Sequence, residues 1–91
     1  MARASKLYRQ GDVLLFRVAR CPKGSPVPAA AGRLILARGE ATGHHHSVPA
    51  EAGTLELDEG GVMWLTIKEL TEVRHQEHAP VPRAPGIYQV N

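Results

Sequence analysis

The sequence predicts an all-β protein: a small single-domain barrel or two-sheet sandwich of about seven short strands. Three observations point there. Apolar residues fall in short β-branched runs or in strict alternation with polar ones. Clusters of Gly and Pro interrupt these runs at short intervals. No segment repeats its apolar residues at the three-to-four spacing of a long amphipathic helix, so a βαβ architecture is excluded.

Taken in order, residues 1–6 read as a loose polar start, and Tyr8–Asp12 as a turn signal. Val13–Ala19 (VLLFRVA) reads as a buried strand, with Leu14, Phe16 and Val18 on one face. Residues 21–32 (CPKGSPVPAAAG) contain three prolines and two glycines. Proline removes a backbone donor and fixes φ, so this stretch is expected to be a surface loop, a candidate lid or partner-binding segment. Leu34–Arg38 is a second strand. Gly39–Gly43 is a turn or bulge, and His44–Pro49 is a third extended piece.

The clearest pattern follows. Thr54–Asp58 alternates, Glu59-Gly60-Gly61 turns, and Val62–Ile67 returns, which is a β-hairpin. Leu55 and Leu57 are expected to point inward on one strand, and Met63, Leu65 and Ile67 on the other, with Trp64 on the opposite face. Residues 69–78 (ELTEVRHQEH) fit a strand placing Val73, His75 and Glu77 on one face. As a short helix they would instead align Leu70, Val73 and Glu77. Residues 79–86 (APVPRAPG) read as a proline-rich turn. Ile87–Val90 is a last strand, held by pairing with an earlier one.

A length of 91 residues is that of one small domain. Only Tyr8, Phe16, Trp64 and Tyr88 are aromatic, so the core must rest on Val, Leu and Ile. The formal net charge is +2 and the basic residues are scattered. A nucleic-acid binder ordinarily carries a dense basic stripe, so that class is disfavoured. No apolar stretch approaches the roughly 20 residues of a membrane span. The basic start lacks a signal-peptide apolar block. Cys21 is the one cysteine, which permits no intrachain disulfide and fits a reducing compartment. The expected location is cytoplasmic.

Five histidines fall in two clusters, His44-His45-His46 and His75-Gln76-Glu77-His78. On an extended strand His44 and His46 project to one face and His45 to the other. A His-x-His pair supplies two ligands to zinc, nickel, iron or copper, all of which accept neutral imidazole. The second cluster offers His75 with Glu77 if extended, or His75 with His78 on one helical turn. The expected ligand set is His44, His46, His75 and His78, with zinc first among the divalent transition metals. Glu40 aligns with His44 and His46 in an extended chain. The site requires the two clusters to be neighbours in a sheet or across an interface between copies.

Two functions follow from such a site. The domain is a binding or self-assembly module, a homo-oligomer in which the metal is structural or bridging. Alternatively, it is a metal-dependent hydrolase or hydratase acting on a small-molecule substrate. In that version an open metal position carries an acidified water and Glu77 or Glu40 is the general base.

Two resemblances carry weight at these residues. Gly39, His44, His46 and Glu51 resemble the first metal motif of the cupins, small β-barrels with Gly, His-x-His and Glu in that order. That implies a barrel with a catalytic metal. Here His75 and His78 precede Pro85-Gly86, the reverse of the order in the second cupin motif. The blocks Gln10–Leu15 (QGDVLL), Gly39–His44 (GEATGH), His75–Pro80 (HQEHAP) and Pro85–Val90 (PGIYQV) are similar to a group of short bacterial and phage proteins. These blocks span most of the chain and imply a shared compact domain.

Overall fold

A computed structural model describes residues 7–11, 13–19, 24–38, 44–76 and 78–91. Ten strands are present among them: β1 (Leu7–Gln10), β2 (Val13–Val18), β3 (Ser25–Pro26), β4 (Arg33–Arg38), β5 (His45–Pro49), β6 (Gly53–Leu57), β7 (Met63–Ile67), β8 (Thr71–His75), β9 (His78–Arg83) and β10 (Gly86–Val90). They form two antiparallel sheets, one of order β1-β2-β10-β7-β6-β3 and one of order β4-β5-β8-β9. The all-β expectation is met, as a two-sheet sandwich and not as a closed barrel.

The core lies between the sheets. Val13, Leu15, Leu55, Leu65, Ile67, Tyr88 and Val90 come from the larger sheet, and Leu34, Leu36, Val48 and Val73 from the smaller. Each such burial contributes roughly 1.5–3 kcal/mol. Val and Leu dominate, as the scarcity of aromatics required. Within β2 the core side is Val13 and Leu15; Leu14, Phe16 and Val18 share the opposite, half-buried face.

Four expectations need correction. The segment from Leu7 is a strand, with its turn only at Gly11. Within residues 21–32, Ser25 and Pro26 pair with Leu57 and Glu56, and Ala30 bridges Arg33. The proline-rich stretch after His78 is the strand β9. Proline cannot donate to a ladder, so it is tolerated on an edge strand. The spacing of Pro80 and Pro82 puts both missing donors on the same side of β9, since backbone N–H groups alternate along a strand. Finally, Leu57 is 42% exposed rather than inward. These additions raise the strand count above seven.

The hairpin β6–β7 has the expected register, Leu55 opposite Leu65. Asp58 closes its turn. Its carboxylate accepts from the backbone N–H of Gly60 at 2.8 Å and of Val62 at 2.9 Å, and from Trp64 Nε1 at 2.9 Å. A 3-10 turn, Ala50–Ala52, carries the chain from the smaller sheet to the larger. It ends at Gly53, where a Cβ would run into the carbonyl oxygen of Thr66. Only glycine lets β6 and β7 approach so closely there. The two sheets are also clamped where Arg83 of β9 lies over the Tyr8 ring of β1, 3.3 Å from its centroid.

Two β-bulges shape the smaller sheet. One lies in β4, where Ile35 and Ala37 oppose the adjacent Ser47 and His46. The other lies in β9: Val73 faces Val81, but His75 faces His78, so β9 has one residue more than β8 over this span. A bulge re-aims the side chains beyond it.

Candidate functional site

The histidines gather at one end of the smaller sheet. β5 and β8 are neighbours, paired at Ser47 and Arg74, so the two clusters meet within one chain. His46 shares the inner face of β5 with the fully buried Val48, and His75 the inner face of β8 with Val73. The tight β8–β9 hairpin puts His78 directly opposite His75. This is not the helical turn that the sequence offered as one alternative. Four imidazoles converge. Centroid separations are 4.3 Å for His46–His75, 4.7 Å for His75–His78, 5.7 Å for His44–His75 and 5.9 Å for His46–His78.

That spacing has a chemical meaning. Imidazoles bound to one tetrahedral zinc at the usual Zn–N distance place their centroids about 5 Å apart. Four of the six ring pairs therefore stand near the spacing of a ligand shell. Their orientations differ from one: among the described residues, no three His, Cys, Asp or Glu side chains are grouped to hold a metal ion as they stand. Loading the site thus requires side-chain rotation. His78 is exposed and His44 and His75 are half-buried, so these are the rings with room to turn.

His46 is pinned. Its Nδ1 lies 2.8 Å from Gln10 Oε1, and both residues are 5% exposed. The Gln10 amide nitrogen donates to the carbonyls of Val73 and Ala79, each at 2.9 Å. An amide NH2 that serves two carbonyls leaves the oxygen as the group facing His46, and an oxygen can only accept. His46 Nδ1 must therefore carry the proton, and Nε2 holds the lone pair of the neutral ring. A partner that fixes tautomer and ring orientation in this way is the usual support behind a metal-ligating histidine.

Sequence reasoning missed Gln10 and its neighbour Gly11. A Cβ at Gly11, whose φ is +58°, would lie 2.6 Å from His78 Nε2, so His78 packs over the bare backbone there. A signal was present: three of the four blocks that carry the resemblance to short bacterial and phage proteins supply residues to this end. Those residues are Gln10 and Gly11, His44, and His75 with His78. His45 points to the outer face, where its N–H donates to Gln76 Oε1 at 2.8 Å. Glu40, Glu77 and Cys21 lie outside the described residues.

Fold and site together define a small antiparallel β-sandwich with an imidazole cluster at one end of its smaller sheet. The chain belongs to the family described as Domain of unknown function (DUF8820), whose model matches residues 9–91. No curated protein and no solved structure matches the chain. No helix among the described residues is long and apolar enough to cross a membrane.

Proposed function

We propose that His44, His46, His75 and His78 bind one divalent transition-metal ion, zinc first. In this reading the domain is a metal-dependent binding or self-assembly module of the cytoplasm. The observation that carries it is the Gln10–His46 pair at the base of a cluster in which His46, His75 and His78 lie within 4.3–5.9 Å of one another and His44 lies 5.7 Å from His75. Burying a glutamine and a histidine costs free energy unless every polar atom is satisfied. Here that cost fixes the tautomer of a ring that lies beside His75 and His78. The cupin-like enzyme draws less support, since its barrel is replaced by an open sandwich.

The ligands come from the start of β5, the residue before it and the β8–β9 hairpin, so a bound ion would cross-link segments roughly 30 residues apart in sequence and add its binding energy to folding. The exposure of His78 leaves that ligand able to be exchanged for one from a second copy, which is how the same ion would bridge subunits.

The test is metal content. Protein stripped with a chelator, reloaded with zinc and desalted should retain one ion per chain by elemental analysis. The His44→Ala/His46→Ala double variant should retain none. Mass in solution, measured on both, reports whether the ion bridges copies. Wild-type protein that keeps no zinc, nickel, iron or copper after reloading would sink the proposal, as would a double variant that keeps its full share.

A further inference from the structure

On the opposite face of the smaller sheet, two shallow depressions of about 350 and 360 Å³ share Arg33 and Arg74 in their linings. The geometry points to an anion site here, one that receives the terminal phosphate group of a small molecule. Its donors are not the proposed metal ligands, although His75 borders one of the depressions.

The donors come from three adjacent strands and the turn that follows them. Ser47 of β5 is the Cα partner of Ile35 on one side and of Arg74 on the other, so all three lie on one face. Arg33 is held on that face. Its Nε donates to Ser47 Oγ at 2.6 Å and its Nη2 to Ser47 O at 3.2 Å. Two of the five guanidinium donors are used in this way, and three remain to meet a ligand. Ser47 is 1% exposed, so its grip is rigid. Among the described residues Arg74 pairs with Glu72, at 3.2 Å, with the Arg74 side chain exposed and that of Glu72 partly so. An exposed pair of this kind is weak and readily exchanged for a stronger anion.

Two further donors border the same depression. Gln76 uses its Oε1 to accept from the backbone of His45, which turns its amide NH2 into the group on offer. His45 Nδ1 is shielded from solvent and has no hydrogen-bond partner, an uncommon and costly condition for a buried polar atom. An oxyanion would supply what it lacks. Two guanidinium groups, an amide and an imidazole exceed what a carboxylate's two oxygens can use. They suit the three acceptor oxygens of a terminal phosphate, which Arg recognises bidentately.

The experiment is an amide-resolved NMR titration of chelator-treated, metal-free protein. Inorganic phosphate and methyl phosphate are compared with acetate, dimethyl phosphate and sodium chloride at equal ionic strength. Phosphate and methyl phosphate should give saturable shifts at the amides of His45, Ser47, Arg74 and Gln76. Arg74→Ala, which removes an exposed side chain and leaves the fold intact, should weaken binding about tenfold, the worth of one charge-assisted hydrogen bond. Shifts no larger than those from chloride would overturn the assignment. Acetate or dimethyl phosphate binding as tightly would overturn the terminal-phosphate class, and an Arg74→Ala variant with unchanged affinity would overturn the location.

Discussion

The β6–β7 hairpin and the histidine end of the smaller sheet are built on opposite plans. In the hairpin the polar contacts that close the turn are local. Asp58 finds its partners within six residues, and Leu55 packs opposite Leu65. At the histidine end, Gln10 reaches partners 63 and 69 residues away. The three polar residues reported as buried among the described ones, Gln10, His46 and Ser47, all belong to this end or to the strand that passes through it. A region that needs only stability is made from alternation and a turn. Buried polar groups satisfied by distant partners mark a region where orientation matters more than its cost.

The largest expected effect is therefore at the long-range end. Gln10→Ala removes the acceptor for His46 Nδ1 and the donor for two carbonyls. Each buried group left unsatisfied costs about 1–3 kcal/mol. Urea denaturation of the zinc-free variant should show a loss larger than Gly53→Ala or Asp58→Asn produces. The same variant, reloaded, should bind zinc about 10–100-fold more weakly, as removal of a ligand's support typically does. Wild-type stability in Gln10→Ala would mean that the buried network is decorative and that the contrast between the two ends is mistaken.

The same contrast decides what was legible in the sequence. Hairpin β6–β7 was readable because period-two alternation and a Gly-Gly turn act over neighbouring residues. Its one error is instructive. Alternation puts Leu57 on the same side as Leu55, but it carries no information about how far the opposite sheet extends. Leu57 lies at the strand's end, beside the two-residue β3, and stays in water. Strand β9 reads as a turn in the sequence because prolines act as breakers, yet their i, i+2 spacing is compatible with an edge. The histidines were recognisable by type and clustering. Their mutual placement was not, because it depends on a bulge in β9 that shifts the pairing by one residue. Gln10 was invisible for a deeper reason: nothing local distinguishes a glutamine that ends a strand in solvent from one that threads between two sheets.

A medium effect should come from Gly53→Ala, at the junction where the chain changes sheets. The backbone there is extended, so the added methyl is strained by contact alone: it meets the Thr66 carbonyl, which belongs to a paired strand and cannot swing away. Overpacking of this kind costs about 1–3 kcal/mol. The loss should appear in urea denaturation with zinc affinity per folded chain unchanged, since Gly53 touches none of the histidines. A matching fall in zinc affinity would show that the two ends are coupled through the core.

The smallest effect is a pH dependence confined to the hairpin. Asp58 has its carboxyl pKa lowered, chiefly by the hydrogen bond from Trp64 and next by the Val62 N–H. A carboxylate with a depressed pKa in the folded state contributes its stability in full above the unfolded value of about 3.9. That contribution is lost as pH falls through the lower folded value. Asp58 lies at the surface and is only partly shielded, so solvent screens the effect and salt should shrink it. Asp58→Asn keeps an oxygen for the backbone donors but removes the charge. The difference in melting temperature between wild type and Asp58→Asn should be present at neutral pH and should close as the solution is acidified through the carboxylate range. Metal-free protein should be used, so that histidine protonation does not unload an ion over the same scan. Trp64 fluorescence, which senses the loss of its hydrogen bond, should follow the same curve. A difference that persists unchanged into acid would show that Asp58 holds the turn by shape alone, and that charge has no part in the local plan of the hairpin.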